Sequence, residues 1–333
     1  MRRTRTLVLA AMLSCLAVVA LVLAGPMRAG SARAEPLRML VEGAFAAHHT
    51  PLFLAMERGH FAEQGVEPVI EPGLGSNMVA VLVGQRAFDM GQLSASIAAI
   101  SIDRGVPIRM IAIQQPRSPI AIVGIRERVR LAGPQSLEGL RLGMTPGGTD
   151  GVVLSLLRRA NSLSLNAMVV MPLDQGTKLQ DLVSGRLDVV LADALAMASR
   201  LRAAGHEAEV MELADHGVPL QGLGFVAGNA FLSDSPDLAR RALAAIRRGM
   251  ADAAADPAAA CRTSRAKEVL VEDEAECVAT LTAFLAHAMP ATASGWGRQS
   301  REAWAKMIGA MRAAGEIHGT RPSSAYYTNS VVP

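Results

Sequence analysis

Short apolar runs alternate with segments of helical periodicity along the chain after residue 34. The apolar runs have the length of buried strands, and glycines close several of the helical segments. This alternation favours an α/β fold with mainly parallel strands. The predicted strands are 37–43, 68–71, 89–93, 108–114, 120–125, 140–144, 168–171, 189–192, 209–213 and 222–227. The remainder, from 235 to about 315, is predicted to be mainly helical.

The first 34 residues have the pattern of a secretory signal peptide. Arg2, Arg3 and Arg5 precede an apolar run over 7–25, and Ala32-Arg33-Ala34 forms a small-residue cleavage site. We expect cleavage after Ala34 and a periplasmic protein. The apolar run is long for a signal peptide, so an uncleaved anchor is the alternative. Lipid attachment at Cys15 has weak support, because the apolar run continues past this cysteine.

Removal of this segment changes the charge of the protein. The full chain carries 33 basic and 30 acidic side chains, a net charge of +3. Five arginines lie in residues 1–34, so the mature chain of 299 residues has 28 bases against 30 acids, a net charge of −2. This balance offers no clustered basic face for nucleic acid.

Two cysteines, Cys261 and Cys277, remain in the mature chain. Paired cysteines are common in an oxidising compartment, so we predict a disulfide between them. Two buried free thiols are the alternative. Zinc is not expected, because neither a histidine nor a third cysteine nearby has metal-ligand spacing.

The stretch PLFLAMERGHFAEQGVEPVIEPG, residues 51–73, carries a resemblance to a known family. It is similar to the first helix and second strand of the ABC-importer binding proteins for nitrate, sulfonates and thiamine pyrimidines. The matching positions are Pro51, Ala55, Gly59, Phe61 and Gly65. Further stretches follow in the order typical of that family, and they lie at 73–96, 104–112, 136–144 and 182–193.

The resemblance implies a two-lobed type II periplasmic-binding fold. Lobe 1 would combine residues 35–117 and 219–333, and lobe 2 would be 118–218. Two crossovers, near 115–119 and 217–222, would form the hinge. A ligand would bind in the cleft between the lobes and close them. The implied partners are a small-molecule ligand and an ABC permease, and we expect a monomer.

Ligands of open α/β sheets bind beyond the carboxyl ends of the strands. Several loops at those ends lead directly into helices, whose N-termini present free N–H groups that suit anions or carbonyl oxygens. Ser76, for instance, can cap a helix or contact a ligand. The predicted ligand-binding residues are Phe45, His48, Gly75, Ser76, Asn77, Ser94, Ser96, Gln115, Thr145, Gly147, Gly148, Thr149, Asp174 and Asp193.

The candidate side chains give mixed indications of ligand charge. Phe45 is the best candidate for ring stacking, and residues 118–218 contain no aromatic residue, which disfavours a sandwich between the lobes. Asp174 and Asp193 suit an amine or an aminopyrimidine, whereas Arg117 suits an anion. We therefore predict a small polar organic ligand, either a sulfonate or carboxylate anion or a substituted pyrimidine.

An enzymatic role is the rival hypothesis. One branch of the resembled superfamily synthesises the thiamine pyrimidine and carries a cysteine-rich motif, which this chain lacks. A G-x-S-x-G motif is also missing. We therefore predict no enzyme activity, cofactor or metal. A binding subunit of a tripartite TRAP-type transporter, or of a sensor, remains an alternative that changes only the membrane partner.

Overall fold

Two five-stranded sheets organise the part of the chain that the structure describes. The structure is a computed structural model, and it describes residues 34–146, 148–270 and 273–333. The predicted signal peptide up to residue 33, with Cys15, and Gly147 lie outside the described residues. The strands are β1 (Glu35–Val41), β2 (Val66–Pro72), β3 (Met90–Ser94), β4 (Ile108–Ile113), β5 (Ile120–Ile125), β6 (Arg141–Met144), β7 (Val169–Pro172), β8 (Val189–Asp193), β9 (Ala208–Glu212) and β10 (Leu223–Gly228).

Helices cover both sheets. They are α1 (Thr50–Glu57), α2 (His60–Glu63), α3 (Ser76–Gly84), α4 (Ala95–Asp103), α5 (Thr149–Asn161), α6 (Lys178–Val183), α7 (Ala194–Ala203), α8 (Asn229–Asp234), α9 (Pro236–Ala255), α10 (Pro257–Ala266), α11 (Glu274–His287) and α12 (Arg301–Ala313). Short 3₁₀ helices occupy Ala47–His49, Pro134–Leu137, Gln175–Thr177, Leu213–His216 and Ser323–Ala325. The α/β class predicted from the sequence is confirmed.

Each sheet is mixed, with one antiparallel strand. The strand orders are β2-β1-β3-β10-β4 and β7-β6-β8-β5-β9. β10 runs antiparallel to β3 and β4, and β5 runs antiparallel to β8 and β9. Both strands enter from the other sheet rather than through a βαβ crossover, so nothing forces them to be parallel. Half of the sheet pairings are therefore antiparallel, a larger share than the sequence predicts.

Two connections carry the chain between the sheets. Residues 114–119 lead from β4 to β5, and residues 217–222 lead from the 3₁₀ helix Leu213–His216 back to β10. The connections bond to each other: the Ser118 N–H donates to the Leu220 carbonyl at 2.8 Å, and the Gly222 N–H donates to that of Gln115 at 2.9 Å. They therefore form a short paired bridge between the sheets, where the sequence predicts its crossovers.

The C-terminal helices pack on the first sheet. Helix α9 lies against α1, and its buried stripe includes Leu243, Ile246 and Met250. Cys261 in α10 and Cys277 in α11 form the predicted disulfide, with their Cα atoms 6.0 Å apart. The disulfide is thus confirmed, and it links the two helices that follow α9. None of the helices in the described residues combines the length and apolarity that a bilayer crossing needs.

Gly249 permits the close approach of α9 to α1. A Cβ atom at this position would clash with the Pro51 carbonyl oxygen and lie 2.6 Å from the Cβ of Ala55. The neighbours are a helix backbone and a short side chain, so they have little freedom to move away.

We expect Gly249→Ala to lower the free energy of unfolding by about 1–3 kcal/mol through overpacking. Gly309 in α12 is the matched control, because a Cβ atom there meets nothing within 4 Å. Gly309→Ala should instead raise the free energy of unfolding by about 0.5–1 kcal/mol through helix propensity. Urea denaturation of both variants measures the difference. Equal effects of the two substitutions would contradict the packing described here.

Candidate functional site

A cavity of about 550 Å³ lies where the carboxyl ends of strands from both sheets meet. The first sheet contributes loop residues after β1, the start of α3 and the end of β3, and the second contributes the loop after β6 and the end of β8. The paired connections supply Gln115, Ser118 and Gly222, and one wall comes from Thr280 and Phe284 of α11. The site is thus shared by both sheets and by the bridge between them.

A larger, open groove of about 930 Å³ lies on the second sheet alone. All of its lining residues fall within 144–170, on α5 and its neighbours. The cavity between the sheets is smaller, but it gathers polar groups from distant parts of the chain. Convergence of polar groups from several elements is typical of a ligand site, so we take the cavity as the candidate site.

Most of the predicted ligand-binding residues line this cavity. They are His48, Gly75, Ser76, Ser94, Gln115, Thr145, Gly148, Thr149 and Asp193. Gly75 has a φ of +97°, in the left-handed region that glycine adopts without strain, and it starts the turn into α3. The loops chosen from the sequence therefore meet at one place.

Phe45 and Ser96 do not line the cavity. The Phe45 ring packs edge-on against Phe53, with ring centroids 4.9 Å apart, and it joins the core under the first sheet. Ser96 is fully buried, and its Oγ lies 2.9 Å from the Oγ of Ser94. Ser96 thus supports a lining residue from behind. The ring expected to stack on the ligand is instead used for packing.

Asn77 and Asp174 also lie outside the cavity lining. Asn77 is exposed in the first turn of α3, directly after the lining residue Ser76. Asp174 is exposed and follows β7, an edge strand of the second sheet. Edge position alone does not account for this, because the loop after the edge strand β2 supplies Gly75 and Ser76 to the lining.

The lining residues that the sequence prediction missed include Glu42, Asp150, Arg200, Thr280 and Phe284. Glu42 is the first residue after β1, immediately before the residues from which candidates were chosen. Thr280 and Phe284 are four residues apart on one face of α11, a helix assigned only to the tail. Their spacing was visible in the sequence, but nothing local placed that face on the cavity.

Glu42, His48 and His49 form a hydrogen-bonded cluster beside the cavity. The Nε2 atom of His48 lies 2.8 Å from Oε1 of Glu42, and the Nε2 atom of His49 lies 3.4 Å from Oε2. The His49 Nδ1 atom accepts the Ala46 N–H at 3.1 Å. This bond places the His49 proton on Nε2, facing the carboxylate.

The cluster fixes the protonation of its members. Burial of Glu42 by itself favours the neutral acid, but the charges and hydrogen bonds of His49 and His48 outweigh it and hold the pKa of Glu42 far below its usual range. Burial, followed by the charge of His48, lowers the pKa of His49, against the opposing effect of Glu42. A carboxylate beside a neutral His49 is therefore the state at neutral pH.

The same cluster has the composition of a metal site, since its three ligand atoms lie within 4.8 Å of one another. A metal on Nε2 of His49 would move the ring proton to Nδ1. That atom faces the Ala46 N–H, so two donors would then meet. The hydrogen bonds therefore fit a carboxylate held by two imidazoles better than a metal centre.

A buried ion pair stiffens the second-sheet side of the cavity. The Lys178 Nζ donates to Oδ2 of Asp150 at 2.7 Å and to the Leu191 carbonyl at 2.7 Å. The same Asp150 oxygen accepts the Thr145 N–H at 2.8 Å. Both partners of the pair are buried. The pair ties the loop after β6 to the neighbouring strand β8.

Asp193 and Arg200 complete the charged lining, and both belong to the α7 region. Asp193 caps α7, since its Oδ1 accepts the Ala196 N–H at 2.9 Å. Burial raises the pKa of Asp193, against the effect of its hydrogen bonds and of nearby histidines. Arg200 forms an ion pair with Glu276 of α11 at 2.9 Å, which joins α7 on the second sheet to a helix of the first.

The family model described as NMT1/THI5-like matches residues 46–260, well over half of the chain. The chain belongs to the NMT1/THI5-like family. The match runs across both sheets and most of the cavity lining. It agrees with the resemblance found in the sequence.

Binding proteins are among the relatives and structural neighbours of this chain. The riboflavin-binding protein RibY of Chloroflexus aurantiacus is 24% identical over 93% of this chain and 91% of its own length. The aliphatic sulphonate-binding protein SsuA of Escherichia coli is 11% identical, with a TM-score of 0.70 over 88% of this chain and 92% of that one. SsuA of Xanthomonas axonopodis pv. citri, solved with MOPS, has a TM-score of 0.65 at 14% identity over 89% and 99%. The periplasmic-binding fold is thereby confirmed.

Protonation of the cluster predicts loss of stability in acid. The pKa of His49 is lower in the folded protein than the value of about 6.5 in an unfolded chain, so the unfolded state binds the extra proton first. Stability from this residue is present above pH ~6.5 and is lost below it. The lowered pKa of Glu42 adds a further loss below pH ~4.5.

We expect the free energy of unfolding to fall between pH 7 and pH 5, and His49→Gln to reduce that slope, since glutamine can still donate to Glu42. Urea denaturation at a series of pH values provides the measurement. His206→Gln is the control, because His206 follows α7 at the end remote from Asp193 and is absent from the cavity lining. Equal slopes in wild type and His49→Gln would contradict the neutral state assigned to His49.

Proposed function

We propose that this protein is an exported solute-binding receptor that captures a small polar organic molecule and delivers it to an ABC importer. The main support for this proposal is the cavity of about 550 Å³ that is lined by both sheets of an NMT1/THI5-like chain. Its volume falls in the range of about 300–1,000 Å³ typical of small-molecule sites. The riboflavin- and sulphonate-binding relatives support the same role.

The two lobes are proposed to follow the sheets. Lobe 1 would comprise 35–117 and 219–333, and lobe 2 would comprise 118–218, so that the paired connections act as the hinge. In a hinged receptor the ligand stabilises the closed state by its differential affinity for it. The Arg200–Glu276 ion pair spans the two lobes beside the cavity and would contribute to that state.

Export and partner follow from the same proposal. The segment up to Ala34 would direct the chain to the periplasm, where a monomeric receptor meets an ABC permease. A TRAP-type transporter or a sensor would use the same fold with another membrane partner. Neighbouring genes for an ATPase and a permease would favour the ABC importer over both.

We propose binding rather than catalysis at the cavity. Two of the three lining serines form hydrogen bonds within the first sheet: Ser76 Oγ accepts the Ser94 N–H at 3.2 Å, and Ser94 Oγ lies 2.9 Å from that of Ser96. Among the described residues, neither serine hydrogen-bonds to a histidine, as a nucleophile–base pair would. Glu42, which two imidazoles hold as a carboxylate, is an acceptor suited to recognition.

A thermal-shift screen of residues 35–333 tests the proposal, after unfolding and refolding to remove bound solute. The probes are riboflavin, aliphatic sulfonates, carboxylates, aminopyrimidines and amines. A ligand at 100 times its Kd should add about 2.7 kcal/mol to the free energy of unfolding. We expect at least one probe class to give a saturable rise in Tm.

Substitutions on α7 locate the site. Ala196 lines the cavity, and Ala196→Phe should abolish the ligand-induced rise because the ring occupies the ligand's space. Ala203 is exposed on the same helix and does not line the cavity, so Ala203→Phe should keep the full response. Failure of every probe, or a response that survives Ala196→Phe, would contradict the proposed site.

A further inference from the structure

The charged residues that line the cavity are unequally compensated. In the described part of the lining, the titratable side chains are Glu42, His48, Asp150, Asp193 and Arg200. The positive charge of Arg200 is paired with Glu276 at 2.9 Å. The negative charge of Asp150 is paired with the buried Lys178 at 2.7 Å. The opposite charges within each of these two pairs offset each other, so neither pair adds net charge to the cavity surface.

Glu42 and Asp193 are the carboxyl groups that remain. No lysine or arginine among the described residues forms an ion pair with either of them. The Glu42 hydrogen bonds come from His48 and His49, and His49 is neutral in the tautomer that its bond to Ala46 fixes. A carboxylate has about four acceptor positions, so Glu42 keeps capacity for a ligand donor.

The two helices that start at the second-sheet side of the cavity hold acids of the chain itself, whereas α3 and α4 on the first-sheet side have no acid in their first turn. Asp193 takes the N–H of Ala196 at the start of α7. Asp150 lies in the first turn of α5 and takes the N–H of Thr145 just before it. Because Asp150 is already paired with Lys178, the acid that neutralises a helix end from within the protein is Asp193 at the start of α7. A sulfonate or carboxylate placed there would meet like charge in a partly desolvated site.

We propose that the solute is uncharged or cationic and presents N–H donors to Glu42 and Asp193, and that the cavity rejects sulfonates, carboxylates and phosphates. This inference rests on the proposed receptor function and assigns its ligand class. Glu42 and Asp193 are the specificity-determining residues. Phe284 lines the same cavity, with its ring centroid 5.8 Å from that of His48, and offers an apolar face to a ring that carries the donors.

Matched probe pairs test the ligand class by isothermal titration calorimetry on residues 35–333. Each pair keeps the organic part and changes the charge: riboflavin against its 5′-phosphate, 4-aminopyrimidine against pyrimidine-4-carboxylate, and an alkylamine against the alkanesulfonate of equal length. We expect the uncharged or cationic member of any pair that binds to bind about tenfold or more tightly, the size of one charge-assisted hydrogen bond.

Asp193→Asn tests the assigned residue without removing the helix cap, because asparagine caps helices as well as aspartate does. It should reduce the preference for the uncharged or cationic probe by about tenfold. Asp256→Asn is the matched control, since Asp256 caps α10 through an identical bond of 2.9 Å to the Ala259 N–H and lies outside the cavity lining. This control should leave the preference unchanged.

The outcomes separate this inference from the receptor function. Equal or tighter binding of the anionic members would overturn the ligand class and leave the receptor intact. An Asp193→Asn variant that folds with an unchanged preference would overturn the assignment of Asp193. Absence of binding by every member of every pair would overturn the receptor function and the ligand class together.

Discussion

The paired connections between the sheets are the constraint on which the site depends. The bonds from Ser118 to Leu220 and from Gly222 to Gln115 hold the two crossings side by side. β5 and β10 enter their sheets directly from these crossings. As a result, β3 of the first sheet and β8 of the second both end at the cavity. Loops that are distant in sequence thereby line one cavity. The same arrangement gives the proposed hinge its position beside the ligand.

The electrostatics of the cavity come from this convergence and not from any one loop. Taken separately, the loop before α5 has the features of an anion site, with glycine, threonine and a helix N-terminus. In the folded protein, Asp150 lies in the first turn of α5 and forms an ion pair with Lys178, while Asp193 caps α7. The first sheet adds Glu42 with two imidazoles in place of an arginine. The sum is an acceptor-rich site, which favours donors on the ligand.

The local sequence pattern was sufficient to predict the strands and most of the loops that line the cavity. The strand Ile120–Ile125 has the predicted bounds, and Ile108–Ile113 and Val189–Asp193 differ from theirs by one residue, because apolar runs and flanking turns are local signals. Nine predicted residues line the cavity because they lie at the carboxyl ends of strands, the end at which open α/β sheets bind ligands. Gly147 lies outside the described residues, so its position remains a prediction.

Long-range packing accounts for the remainder. Phe45 turned into the core because Phe53 and the C-terminal helices provide an apolar environment there. Asp174 also follows a strand but lies outside the cavity lining, and no local pattern distinguishes its loop from the loops that line the cavity. Phe284 reached it because the disulfide-linked α11 folds back from the tail. The ion pairs of Lys178 with Asp150 and of Arg200 with Glu276 likewise join residues that are remote in sequence.

Hydrogen–deuterium exchange with and without a saturating ligand is the most direct measurement of a site shared by the two sheets. We expect slower exchange at the starts of α3 and α7, in the connections 114–119 and 217–222, and along α11. Protection confined to one sheet, or to the groove on α5, would contradict it.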